Sequence, residues 1–277
     1  MNKTNIVIIG LGHIGGSLAS SLKKVHGNKV SIVGIDQSKA VINLAKQSNL
    51  FSEVSTLQKS LKLKSAHVIF VATGICDMDK LFTDIGKISF NNKVVVSDVG
   101  SIKVDIFKQA LKNLPKNFDF VGGHPIAGTE KAGFKNLVTG LFSKKPVFIS
   151  GIRAKRGSTL LIKTIWESLG SHVYSVTPEK HDKIFAYLSH LPHVLAFGLK
   201  NISNKNLTKK EILKYGGTSY KDYSRISDSS EELWTEIFLS NRKNLISGIK
   251  DFRKYLNKLE ILLKSDSADK LKKLLKS

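Results

Sequence analysis

Four short segments carry residue types that can do acid–base or anion-binding chemistry. Gly122-Gly-His124-Pro-Ile-Ala-Gly-Thr-Glu130 sets a histidine in a loop after an apolar run, too rich in glycine for a helix. An imidazole titrates near neutral pH, so His124 is a candidate general acid or base. Asp98-Val-Gly-Ser101-Ile-Lys103 follows another apolar run. Read by itself, Ser101 is either a hydroxyl at a ligand site or the N-cap of the next helix. Ser189-His190-Leu-Pro-His193 sets two histidines three apart on a helical pattern. No cysteine or carboxylate cluster accompanies them, so no metal site is expected. Tyr220-Lys-Asp-Tyr-Ser-Arg225-Ile holds one of only five arginines among 44 basic residues. A guanidinium fork grips a carboxylate with two parallel hydrogen bonds where an ammonium cannot.

A fifth segment binds rather than reacts. Gly10-Leu-Gly12-His13-Ile14-Gly15-Gly16 follows the first apolar run and opens the first helical pattern. This is the dinucleotide turn. Gly10 allows the bend, Gly12 lets the backbone approach a pyrophosphate, and Gly15 lets helix and strand pack closely. The amide groups of the first helical turn, around His13 and Ile14, face the phosphates. Asp36 lies 21 residues beyond Gly15. A carboxylate there accepts from ribose hydroxyls and repels a 2′-phosphate, which predicts NAD over NADP.

The elements that must hold these segments follow from periodicity. Ile6–Ile9, Val30–Ile35, His67–Ala72, Val94–Ser97, Phe118–Val121, Val147–Ser150 and Val173–Val176 are short Val/Ile-rich runs, as strands buried on both faces should be. Gly15–Val25, Ser38–Gln47 and Lys103–Leu114 read as helices between them. The alternation predicts a doubly wound, Rossmann-type parallel sheet over residues 1–177. Thr177-Pro178 then starts a helix, with Thr as N-cap and Pro at the first position. Residues 178–277 read as all-helical, with one long amphipathic helix from Phe238 to Leu263 and a short, fraying Lys/Leu tail.

Composition narrows the classes. Hydrophobic residues make up 41% of 277, an ordinary globular share. No apolar run approaches the roughly 18 residues that span a bilayer, and the first residues do not form a signal peptide, so no membrane partner is expected. Cys76 is the only cysteine. That excludes an internal disulfide and fits a reducing, cytoplasmic setting, and Cys76 itself is read as a small apolar filler. The net charge of +22 invites a nucleic-acid reading. The lysines are spread along the whole chain with no nucleic-acid-binding motif, so no nucleic-acid partner is expected.

Taken in order and spacing, these segments and Leu233-Trp234-Thr-Glu-Ile-Phe-Leu-Ser-Asn-Arg242 resemble the prephenate/arogenate dehydrogenases over about residues 5–260. The resemblance implies NAD-dependent oxidative decarboxylation of prephenate, or of its amino analogue arogenate, in tyrosine biosynthesis. It makes His124 the catalytic histidine and Ser101 its polar partner near the nicotinamide. It assigns the substrate carboxylate to Arg225, with His193 and His190 in support. Glu130 belongs to a polar network gating the pocket, and Trp234 lies beside the pocket through an element of a partner subunit. The helical domain is then a substrate and homodimerisation domain. Val71-Ala-Thr73-Gly74-Ile-Cys76 lies on the cofactor side, with Thr73 as a contact, although the family more often has proline after that threonine. Many relatives carry a further regulatory module, for which the residues beyond the last long helix leave no room.

Overall fold

The structure is a computed structural model that describes residues 3–128, 131–152, 154–265 and 267–276. The chain divides into two compact units, Met1–His181 and Asp182–Ser277.

The first unit is built on β1 (Thr4–Ile9), β2 (Val30–Ile35), β3 (Glu53–Ser55), β4 (Val68–Val71), β5 (Val95–Asp98), β6 (Asp119–Pro125), β7 (Pro146–Ser150) and β8 (His172–Ser175). Between them run α1 (His13–His26), α2 (Lys39–Gln47), α3 (Ile75–Gly86), α4 (Val104–Asn113) and α5 (Arg156–Ser168). The strands form one sheet in the order β3-β2-β1-β4-β5-β6-β7-β8. Strand order reverses between β1 and β4, the switch point where such sheets open a crevice at their carboxyl ends. The central strands are mostly apolar and buried, with Ser97 and Asp98 at the end of β5 as buried polar exceptions, because helices must cover both faces. Trp166 of α5 seals one side, with its ring edge against Phe70 at 5.7 Å and Phe142 at 5.1 Å.

The doubly wound α/β expectation holds, with two differences. β3 is an additional strand, whose three residues are too few to show a period. β7 runs antiparallel to β6, pairing Gly122 with Ser150 and His124 with Phe148, whereas the other pairs are parallel. An apolar run does not encode the direction of its partner.

In the second part of the chain α6 (Pro178–Phe185) is capped as expected, with Lys180 N–H donating to Thr177 Oγ1 at 3.3 Å. A π-turn over Ala186–His190 leads into α7 (Leu191–Asn206). Then follow α8 (Lys209–Tyr215), α9 (Thr218–Ser227), α10 (Glu231–Ser240), α11 (Arg242–Lys264) and α12 (Ala268–Lys276). The expected long helix from Phe238 to Leu263 is broken at Asn241, and the tail is helical where fraying was expected. The break has a cause. Asn241 is buried, and its amide donates to the carbonyl of Asp182 at 2.7 Å and meets His190 Nδ1 at 3.1 Å. Among the described residues no helix is long and apolar enough to cross a membrane.

Candidate active site

The crevice at the switch point is a cleft of about 670 Å³, lined among others by Gly10, Gly12, Asp36, Thr73 and Gly74. Gly10 has φ +92°, and a Cβ there would stand 2.6 Å from the carbonyl oxygen of Ala72. A Cβ on Gly15 would fall 1.9 Å from Gly10 O, so helix and turn meet backbone to backbone. At Gly12 a Cβ would meet nothing within 4 Å. The space next to the helix start is therefore open to a ligand, and α1 begins with no side-chain cap on its first amides. Asp36 accepts from Leu11 N–H and Ser38 N–H, both at 2.8 Å. These two bonds hold the carboxylate at the rim of the cleft, where a ribose would lie. His13 is buried, with Nδ1 2.8 Å from the carbonyl of Asn136, and Ile14 is half-buried. These residues fit a dinucleotide. Cys76 is exposed and so does not fill a gap as expected.

Two strands along the sheet lies a second arrangement. β6 outruns β5, so Gly122–Pro125 have a strand partner only in β7. On the other side the carboxylate of Asp98 takes the place of the missing ladder. Its Oδ1 accepts from Gly123 N–H at 3.0 Å and its Oδ2 from Gly100 N–H at 2.8 Å. Oδ2 also accepts from Lys103 Nζ, in an ion pair buried on both sides. Removing one partner of such a pair costs about 3–5 kcal/mol, because the other charge is left unpaired. One carboxylate thus fixes the residue before Ser101 and the residue before His124. Ser101 itself is half-buried and is not a helix cap, since α4 starts three residues later with Lys103 in the capping position.

His124 is in strand β6, not in the loop expected from its glycines, and is only 9% exposed. Its Nδ1 lies 2.8 Å from Nε2 of His181, which is fully buried. The resemblance implies the hydroxyl of Ser101 as a partner of this ring, and His181 is a partner that the sequence did not point to. The available signal was weak: His181 stands four residues before Phe185 on α6, on the apolar face of the helix that follows the last strand.

The helical unit carries the other candidates. Arg225 is exposed in the last turn of α9, and no ion pair with it is found among the described residues. His193 stacks on Trp234 at 3.5 Å and 21°. Its Nδ1 is 2.8 Å from the carbonyl of Ser189. Burial holds its pKa below the ordinary imidazole value, against the opposing pull of that carbonyl. Trp234, which the resemblance sets beside the pocket through an element of a partner subunit, is buried and stacked on His193. His190 is only 1% exposed and bonded to Asn241. Glu130 lies outside the described residues.

A reversed sheet order, a glycine turn and an open cleft at the switch point define a two-unit protein of the doubly wound, dinucleotide-binding class. Residues 18–175 match the family model described as "Prephenate dehydrogenase, nucleotide-binding domain", and residues 177–277 match "Prephenate dehydrogenase, dimerization domain". The chain belongs to the prephenate dehydrogenase family. It is 30% identical to a cyclohexadienyl dehydrogenase of Zymomonas mobilis over 96% of this chain and 91% of that one. It resembles the crystal structure of prephenate dehydrogenase from Aquifex aeolicus in complex with hydroxyphenyl propionate and NAD+ (32% identity, TM-score 0.90, 100% of this chain and 96% of the other). It also resembles an arogenate dehydrogenase of Synechocystis (26% identity, TM-score 0.82, 99% and 96%).

Proposed function

We propose that this chain catalyses the NAD-dependent oxidative decarboxylation of prephenate to 4-hydroxyphenylpyruvate, or of arogenate to tyrosine, in tyrosine biosynthesis. The observation that carries this reading is the match of both halves of the chain to the two domains of one dehydrogenase family. When bound in the cleft at Gly10, Gly12, Gly15, Asp36 and Thr73, NAD+ supplies the hydride acceptor. His13 and Ile14 belong to the same turn.

The chain's own residues have a limited task. The substrate loses hydride from its hydroxyl-bearing ring carbon and its ring carboxylate as CO₂, and the ring becomes aromatic. No base has to tear off an unactivated proton. His124 accepts a hydrogen bond from the hydroxyl, draws its proton as negative charge leaves the carbon, and returns it to the phenolic oxygen. Its Nδ1 is engaged by His181, so this exchange takes place at Nε2. Ser101 supports the same hydroxyl or the ring nearby. Arg225 binds a substrate carboxylate, assisted by His193 and, less directly, by the buried His190 and Trp234, with Glu130 gating the pocket. Holding the substrate in one orientation contributes as much as the proton transfer. The helical unit dimerises two copies, and the single exposed thiol, Cys76, suits a cytoplasmic enzyme.

The test is the appearance of NADH absorbance with prephenate and with arogenate. The expected result is one CO₂ per NADH with at least one of them. No turnover with either would overturn the reading. Light scattering should give twice the chain mass, and a monomer at micromolar concentration would remove the dimer.

A further inference from the structure

A histidine that exchanges a proton through one ring nitrogen is governed by what the other nitrogen touches. In His124 that other nitrogen is Nδ1, and it touches Nε2 of His181 at 2.8 Å. Two neutral imidazoles joined in this way have one hydrogen between them. If the hydrogen is on His124 Nδ1, Nε2 of His124 carries a lone pair and can accept a proton. If it is on His181 Nε2, His124 must carry its own hydrogen on Nε2, and that atom can accept nothing. The state of His181 therefore decides whether His124 is a base.

We propose that His181 is the positioning residue of His124. It accepts the Nδ1–H hydrogen bond, keeps the lone pair on Nε2, and shares the positive charge when His124 is protonated. The proposal rests on the reading of His124 as the base.

The surroundings are built for one fixed geometry. The His181 ring stands edge-on to His124, with centroids 5.0 Å apart at 62°, and edge-on to Phe148 at 6.2 Å and 72°. Phe148 is the β7 residue paired with His124. The backbone N–H of His181 donates to Thr177 O at 2.9 Å, in the first turn of α6. Both rings thus hang from ordered backbone. Asp98 accepts from the amide that precedes His124 and pairs with Lys103, and Asp182 follows His181 in the chain. The Asp98 carboxylate is taken by Gly100, Gly123 and Lys103. The orienting position is filled by an imidazole, where other acid–base histidines use a carboxylate. A neutral acceptor fixes the tautomer without adding a buried negative charge. It also leaves room for only one proton between the rings, since a second would set N–H against N–H.

The test combines tautomer and rate in the full chain. In protein labelled with ¹⁵N-histidine, NMR should show His124 Nδ1 protonated and Nε2 unprotonated. Gln can present an oxygen near the position of the lost Nε2, so His181→Gln should keep that tautomer and most of the activity. His181→Leu has no acceptor. It should shift His124 towards the Nε2–H form and lower kcat roughly 10²-fold, the low end of what a general base contributes, with substrate KM nearly unchanged. A His181→Leu protein that keeps the wild-type tautomer and kcat would overturn the proposal. So would equal losses in both variants with KM and thermal midpoint moving together, which is the mark of a merely structural residue. The NMR result stands without turnover, so it separates failure of this proposal from failure of His124 as the base, which His124→Asn tests alone.

Discussion

The two units bury their apolar residues very differently. In Met1–His181 the strands β1, β4 and β5 are almost wholly withdrawn from water, and Phe82, Trp166 and Phe142 lie fully buried between sheet and helices. In Asp182–Ser277 few apolar side chains are buried, whereas Ile202, Leu239, Ile261 and Leu263 are 60–65% exposed. A sheet with helices on its faces completes its own core. A set of helices with this much exposed Leu and Ile is suited to completion by another surface, and its family model is described as a dimerization domain. Under the proposed function, the sheet unit holds the chemistry in local detail, and the helical unit contributes groups whose setting depends on assembly. Substitutions in the first unit should act on the chemical step or on cofactor choice, and substitutions in the second on substrate binding.

The sharpest way to break that contrast is His124→Asn. It should lower kcat roughly 10²–10⁴-fold with little change in KM, read from initial rates. A normal kcat would take the sheet unit's histidine out of the chemistry. Next in size is Arg225→Lys, which keeps the charge and loses the fork. Substrate KM should rise about tenfold or more while the Kd for NAD+ stays put, since the glycine turn and Asp36 are in the other unit. An unchanged KM would leave Arg225 as an ordinary surface residue. A comparable effect is expected in cofactor choice. With Asp36 held by two backbone N–H groups, kcat/KM should favour NAD+ over NADP+ by about tenfold, or about 1.4 kcal/mol. Equal use of both would show that the carboxylate does not discriminate.

The smallest effect concerns His193 and pH. Burial lowers its pKa below the ordinary imidazole value of about 6.5, so the neutral ring stacked on Trp234 is the favoured form in the folded unit. The unfolded chain binds more protons just below that value. The stability due to the neutral ring is thus complete above about pH 6.5 and is lost as the pH falls towards the lower folded pKa. In urea unfolding, wild type should exceed His193→Gln by more at about pH 7.5 than at about pH 5. A gap that is constant or widens in acid would contradict the assignment.

The sequence made the sheet legible because buried parallel strands are written as short Val/Ile runs, and because the glycine turn is contiguous. His124, Ser101 and Asp36 could be picked out since each ends or follows such a run. What escaped depends on partners far along the chain. The break at Asn241 is set by Asp182 and His190, more than 50 residues away. The role of His181 is set by a histidine 57 residues earlier. β7 reverses direction without changing its composition. Ser101 has the residue type of a cap, but the backbone at Gly100 is tied to Asp98 and the helix starts only beyond it.

That tie has a consequence for motion. The carboxylate of Asp98 is hydrogen-bonded to the amide preceding Ser101 and to the amide preceding His124, with Lys103 locking it from the side. Thermal displacement of either segment must therefore carry the other along. The backbone just before the hydroxyl and just before the imidazole thus shares one anchor. On the proposed reading, the hydroxyl of Ser101 and the imidazole of His124 are then borne on segments fastened to one carboxylate, much as two instruments bolted to one bench stay aligned when the bench sways.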